Sequence, residues 1–241
     1  MEYSCITDTG LVREKNQDSY IAISNRYGDF LALVADGIGG GRAGEVASGE
    51  TIKYFDENFK ESGPFDTIED AINYMSYHIG RANKHVYELS TSYPEYAGMG
   101  TTLTGVLITS KGTVSVNCGD SRVYGFIDDL CIRLTTDHTL VNQMLEKGQI
   151  TYEESLNHPK RHYLVKAIGI FPVVTPDVHK VKDMDYYLAC SDGLHAYTGD
   201  DEIAKIVLEP ERSVAEKVED LKDLALLKGG YDNITVVLVK R

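Results

Sequence analysis

The chain of 241 residues is long enough for one large domain or two small ones, and its 42% hydrophobic and 25% charged residues allow a buried core. Asp and Glu number 37 against 24 Lys and Arg, a formal net charge of −13 that argues against DNA or RNA as a partner. Cys5, Cys118, Cys131 and Cys190 are scattered without a Cys-x-x-Cys, which excludes a patterned zinc site and a disulfide framework. The N-terminus MEYSCITDTG has no basic-then-apolar signal and no apolar run approaches about 18 residues, so the reading is a cytoplasmic protein outside the membrane.

In chain order, Ile6 to Arg13 reads as a strand and turn, followed by Arg13-Glu14-Lys15-Asn16-Gln17-Asp18 and a strand over Tyr20 to Ser24. A hairpin connection at Asn25 to Asp29 leads to Leu31-Ala32-Leu33-Val34-Ala35, a continuous apolar run that predicts a strand buried on both faces. The run stops at Asp36 and enters a glycine-rich turn, Gly37-Ile38-Gly39-Gly40-Gly41, so a carboxylate is delivered where backbone can approach an ion or phosphate closely. An isolated Asp-Gly is more often a simple turn. Asp18 and Asp36 fall near adjacent ends of neighbouring strands.

Helices are predicted over Ala43 to about Glu61 and over Thr67 to Leu89. The second carries an apolar stripe at Ile68, Ile72, Met75, Ile79, Ala82, Val86 and Leu89 and places His78 and His85 off the stripe, in solvent. Segments Thr101 to Ile108, Thr113 to Asn117, Arg122 to Ile127 and Leu130 to Leu134 read as antiparallel hairpins, with Gly119-Asp120-Ser121-Arg122 at one turn. Thr139 to about Leu156 reads as short helices broken at Gly148, a candidate flap whose His138, His158 and His162 are ordinary loop histidines. Strands return at Thr175 to Val181 and Tyr186 to Ala189, the latter running into Ser191-Asp192-Gly193. A helix over Ser213 to Leu227 precedes Tyr231-Asp232-Asn233-Ile234-Thr235 and a last strand over Val236 to Val239. No linker or repeat interrupts the chain, and the order of elements predicts stacked antiparallel sheets flanked by helices in one domain.

Asp18, Asp36, Asp120, Asp192 and Asp232 each stand beside glycine or another tight-turn residue. Carboxylates gathered together repel one another, so a converging cluster requires cations. Oxygen donors without thiolate or patterned imidazole select Mg²⁺ or Mn²⁺ over zinc or copper; Ca²⁺ fits the same chemistry, but there is no twelve-residue EF-hand loop. Two such ions about 4 Å apart can activate a water for in-line displacement at phosphorus. Arg13, five residues before Asp18, is the candidate for holding the phosphate oxygens.

Taken together, Thr7-Asp8-Thr9-Gly10, Arg13…Asn16-Gln17-Asp18, Ala35-Asp36-Gly37-Ile38-Gly39-Gly40, Gly100-Thr101-Thr102, Gly119-Asp120-Ser121-Arg122, Ser191-Asp192-Gly193 and Asp232-Asn233-Ile234-Thr235 resemble, in order and spacing, the metal-dependent Ser/Thr protein phosphatases of the type 2C (PPM) family in their bacterial form. The resemblance implies an α+β, four-layer α-β-β-α sandwich spanning residues 1–241, with a flap at about 139–174 that influences substrate choice. It implies Asp36, Asp192 and Asp232 as direct metal ligands, the Gly37 carbonyl on the second ion, and Asp18 acting on that ion through water. It also implies Asp120 with Asp192 at a weaker third ion, and Arg13 on phosphate. Catalysis would then rest on Arg13, on Asp36 and on attack by a water or hydroxide bridging two Mn²⁺ or Mg²⁺ ions.

The chain departs from the family where many members carry a histidine used as general acid, since those positions are Ile38 and Gly41. Water, or a flap histidine such as His162, is left to protonate the leaving group. His162 and Lys166 stand where Asn and Arg are expected in many relatives. Phosphorylated proteins are the implied partners, substrates of a cytoplasmic Ser/Thr kinase or the kinase itself, and nothing demands more than a monomer. The alternative is a metal-binding phosphopeptide-binding module with little turnover.

Overall fold

The computed structural model describes residues 1–38 and 43–241; Gly39, Gly40 and Gly41 of the glycine-rich turn, with Arg42, lie outside the described residues. Two antiparallel sheets stack face to face. The first runs in the order β1 (Glu2–Asp8), β11 (Ile234–Lys240), β10 (Tyr186–Cys190), β7 (Arg122–Ile127) and β8 (Leu130–Arg133). The second runs β2 (Asp18–Ser24), β3 (Phe30–Ile38), β5 (Leu103–Thr109), β6 (Gly112–Cys118) and β9 (Asp177–Val181), with β4 (Gly100–Thr101) paired to the end of β3. Helices α1 (Gly44–Phe59) and α2 (Ile68–Ser92) cover the second sheet. Helices α5 (Asp192–His195), α6 (Asp200–Val207) and α7 (Val214–Leu227) cover the first. Between β8 and β9 stand α3 (Leu140–Glu146) and α4 (Tyr152–Leu156), separated at Gly148 as the sequence predicts.

The period of two explains the apolar runs. On β3, Leu31, Leu33 and Ala35 pack under α1 and α2, while Phe30, Ala32 and Val34 fill the space between the sheets. On β11, Ile234, Val236 and Leu238 face α6 and α7, and Val237 and Val239 face the other sheet. Each central strand therefore has no solvated side. Full burial of one such aliphatic side chain contributes about 1.5–3 kcal/mol. Thr67 caps α2 through a reciprocal box with Asp70, and the predicted stripe is buried at Ile68, Met75, Ile79, Ala82 and Val86.

Three expectations are corrected. The strand at Leu31 does not stop at Asp36: it continues to Ile38 because Gly37 and Ile38 pair with Thr101 and Gly100 of β4. The Gly119–Arg122 segment is no hairpin turn, since β6 and β7 belong to different sheets and the segment crosses between them. His78 is not free in solvent, since it stacks 4.1 Å from the Tyr74 ring with Nδ1 3.0 Å from the Tyr54 hydroxyl, whereas the His85 side chain stays 43% exposed, with Nε2 2.9 Å from Glu50. Asp192-Gly193 opens α5, and α6, which the sequence reading left unassigned, follows. The signal for α6 was present, with Asp200-Asp201-Glu202 in its first turn and Ile203 and Val207 buried one turn apart. Among the described residues no helix is long and apolar enough to cross a membrane.

Gly193 brings α5 against the start of β11: a Cβ there would lie 2.0 Å from the Asn233 carbonyl oxygen. Gly193→Ala is expected to destabilise the fold by about 1–3 kcal/mol, the usual effect of overpacking. Chemical denaturation checks this, and an unchanged midpoint would contradict so close an approach.

Candidate active site

Strand pairing places the five acidic residues. Asp18 opens β2 and is the direct cross-strand partner of Asp36 on β3. Asp192 follows β10 and Asp232 precedes β11, and these neighbours run antiparallel with Cys190 opposite Val236. Asp120 lies in the crossover from one sheet to the other. The arrangement puts Asp36 within electrostatic reach of Asp18, Asp192, Asp120 and Asp232.

Several side chains hold this cluster in place, and the sequence alone assigned them no role. Asp36 is gripped through its backbone: its N–H donates to Thr102 Oγ1 (3.0 Å), and its carbonyl accepts from Thr101 Oγ1 (2.9 Å) and the Thr102 N–H (2.8 Å). Asn233 accepts from the Gln17 N–H at 2.9 Å and donates to the carbonyls of Thr9 and Lys15, both at 2.9 Å, stapling the Arg13 loop beside Asp232. His195 Nε2 lies 3.0 Å from the Asp120 carbonyl oxygen and donates to it. Gly37 is confined, because a Cβ there would lie 2.4 Å from the Gly44 carbonyl oxygen and 2.5 Å from that of Gln17.

Burial raises the carboxylate pKa values, and mutual repulsion adds to it. Asp18 and Asp120 are each pushed up to about 6, chiefly by burial. Asp36 and Asp192 are raised well above the ordinary range, first by burial and then by Asp18 and Asp120 respectively. Both carboxylate oxygens of Asp18 and Oδ1 of Asp192 are buried with no hydrogen-bond partner. The Thr235 and Ser191 hydroxyls lie near Asp18 and oppose part of its upward shift, although Thr235 also pairs with Thr7 at 2.7 Å. Orphaned, hard oxygens of this kind fit a hydrated divalent cation.

Among the described residues no three His, Cys, Asp or Glu side chains are already gathered tightly enough to hold one ion. A finished cage is not needed for Mg²⁺, which keeps several waters and takes one or two carboxylates. Asp232 is meanwhile engaged by Arg13, whose Nη2 donates to Oδ2 at 2.6 Å. That hydrogen bond, with the charges of Asp232, Asp192 and Asp36, raises the guanidinium pKa, while half of the Arg13 side chain stays open to solvent. Arg122 is not available in the same way, since it is paired with Asp137 at 2.7 Å.

A cavity of about 610 Å³ opens beside Asp120 and Asp192 and extends under α3 and α4, where Arg161 and His162 line it. The pKa of His162 is lowered by burial and by Arg161. His158 accepts from the Lys160 N–H at 3.1 Å. His138 departs from the expectation of an ordinary loop histidine: it is buried and bridges to Asp177.

The family model for protein phosphatase 2C matches residues 12–224. The chain belongs to the protein phosphatase 2C family. It is 35% identical over 237 residues to the serine/threonine phosphatase stp of Listeria innocua, covering 98% of this chain and 94% of that one. It is 35% identical over 241 residues to protein phosphatase PhpP of Streptococcus pneumoniae, with 99% and 97% covered. The crystal structure of serine/threonine phosphatase Stp1 from Staphylococcus aureus superposes with a TM-score of 0.93 at 34% identity, over 100% of this chain and 94% of that one. The Mycobacterium tuberculosis serine/threonine phosphatase PstP/Ppp gives 0.86 at 34% identity, over 99% and 97%. The two antiparallel sheets flanked by helices are thus those of the phosphatase 2C fold, and the family is metal-dependent.

The raised pKa values fix a sign. Between the ordinary carboxylate range and about pH 6 the folded, metal-free chain binds more protons than the unfolded chain, so its stability falls as pH rises through that window. Mn²⁺ bound at these carboxylates would compete with those protons. Its stabilisation should therefore grow with pH, so that the gap in melting temperature with and without Mn²⁺ is larger at pH 7.5 than at pH 5 and shrinks in Asp192→Asn. A gap independent of pH would contradict the buried-carboxylate description.

Proposed function

We infer that this chain is a metal-dependent protein serine/threonine phosphatase that hydrolyses phosphoserine and phosphothreonine. The observation that carries the reading is the convergence of buried, unpartnered aspartates beside a half-exposed arginine, in a fold shared with chains named serine/threonine phosphatases. A phosphopeptide-binding module without turnover is not favoured, because the carboxylates and Arg13 are all present and the relatives carry enzyme names. Phosphorylated proteins follow as substrates. We assign the phosphatase domain to residues 1–241 with a flap at about 139–174, acting as a cytoplasmic monomer on targets of a Ser/Thr kinase or on the kinase itself.

In this reading Asp36, Asp192 and Asp232 would hold two Mn²⁺ or Mg²⁺ ions directly, the Gly37 carbonyl would serve the second ion, and Asp18 would act on it through water. Asp120 with Asp192 offers a weaker third place. Such ions supply Lewis acidity and an acidified water at neutral pH. Arg13 serves the phosphate. Its guanidinium is planar and only half buried, so on release from Asp232 it can take two phosphate oxygens in a bidentate pair. Thr101, Thr102 and Asn233 keep the carboxylate carriers from relaxing apart.

The proton for the leaving alkoxide comes from water. Ile38 offers no acid, the position of Gly41 lies outside the described residues, and burial and Arg161 lower the pKa of His162, which disfavours its protonated form. A side-chain general acid typically contributes about 10²–10⁴-fold. Phosphoserine peptides should accordingly turn over at least about tenfold more slowly than p-nitrophenyl phosphate, whose leaving group needs no proton. Equal, high kcat on both would contradict this.

Removing one carboxylate charge, as in Asp36→Asn or Asp192→Asn, is expected to lower kcat by at least about 100-fold, the loss typical when an electrostatic stabiliser is removed. Arg13→Ala should mainly raise KM for phosphopeptides. A Mn²⁺-dependent p-nitrophenyl phosphate assay with these variants tests the reading, and Asp36→Asn retaining full turnover would overturn it.

A further inference from the structure

The segment carrying α3 and α4 joins the body through a narrow neck. Thr139 and Leu164 form an isolated antiparallel bridge, the Leu140 N–H donates to the Tyr163 carbonyl at 2.8 Å, and the Val165 N–H donates to the His138 carbonyl at 2.8 Å. At its foot His138 is only 7% exposed. On one side its Nδ1 accepts from the Gly119 N–H at 3.1 Å, and its backbone N–H donates to the Gly119 carbonyl at 2.9 Å. On the other side Nε2 lies 3.1 Å from Asp177 Oδ2, and Asp177 Oδ1 takes the Lys166 ammonium at 2.9 Å.

An amide N–H points at a lone pair, so Nδ1 of His138 carries no proton. The neutral ring therefore has its proton on Nε2 and donates it to Asp177. Lys166 and Asp177 are the charged groups facing the ring at that end, with Asp137 beside it in sequence, and burial keeps the ring neutral by lowering its pKa. Gly119 stands at a position that only glycine suits. Its φ is +127°, and a Cβ there would lie 2.6 Å from the Thr102 side chain. The next residue is Asp120, whose carbonyl is held by His195.

We propose that His138 is a positioning residue that locks the neck of the flap to the Gly119–Asp120 turn, so that the flap and the Asp120 carboxylate take up their positions together. The proposal rests on the reading of Asp120 as a carboxylate of the metal site. His138 touches no substrate in this account; it acts through Gly119. Lys166 and Asp177 fix the ring from behind, which gives the Lys that replaces an expected Arg a definite task. Partners around a metal site that orient its ligands typically affect ion affinity by about 10–100-fold.

The test titrates the metal-free, full-length protein with Mn²⁺, following free ion by electron paramagnetic resonance, which counts bound ions without reference to turnover. His138→Asn keeps an acceptor where Nδ1 meets Gly119. His138→Gln keeps instead a donor near the Nε2 position. The weakest class of bound Mn²⁺ is expected to be about tenfold weaker in His138→Gln and close to wild type in His138→Asn, with tighter ions unchanged in both. Equal binding in the two variants overturns the proposal, as does a wild-type chain with no weaker class. Should neither variant fold, Asp177→Asn at a partly exposed carboxylate decides: a weakened weak class supports the coupling and a wild-type titration overturns it. A chain that shows the expected binding pattern but hydrolyses no phosphoester would contradict the phosphatase reading while upholding the coupling.

Discussion

The burial of carboxylates beside one another is the constraint on which the structure turns. Asp18, Asp36, Asp120 and Asp192 lose hydration and gain neighbours of the same sign, so each resists ionisation. A fold that served only its own stability would pair or disperse these groups. This one leaves three of their oxygens without a hydrogen-bond partner. The local destabilisation persists because both sheets that carry the aspartates are packed on two faces, and the aliphatic burial along β3 and β11 outweighs it.

The two-sheet architecture provides what a single sheet cannot. Asp18 and Asp36 come from the second sheet, Asp192 and Asp232 from the first, and Asp120 from the segment that passes between them. A cation held across that seam would touch residues from both sheets. Arg13 belongs to the same logic. Its guanidinium donates to Asp232 at 2.6 Å, and a planar cationic fork of this kind is suited to phosphate as well as to carboxylate.

Much of this was legible in the sequence where the signal is local. The run Leu31–Ala35 announces a strand buried on both sides, and an aspartate at its far end announces chemistry, because apolar periodicity and glycine-rich turns are written in neighbouring residues. The convergence of Asp18, Asp36, Asp120, Asp192 and Asp232 was legible only as a pattern repeated along the chain. What escaped depends on distant partners. The extension of β3 past Asp36 needs β4, 60-odd residues on. Gly119–Ser121 reads the same whether it turns a hairpin or crosses between sheets. His138 looked like any loop histidine because its partners Gly119, Lys166 and Asp177 lie 19 residues before, and 28 and 39 residues after it. The short helix α6 was missed for a different reason, since its acidic first turn was present and simply outweighed by the surrounding polar residues.

Crystals of the full chain grown with Mn²⁺ and measured at the manganese absorption edge test the central claim most directly. The account predicts two strong anomalous peaks about 4 Å apart, lying between the sheets with Asp36, Asp192 and Asp232 around them and Arg13 released from Asp232. An anomalous map with no peak among these aspartates, or with manganese bound only at surface carboxylates, would contradict it.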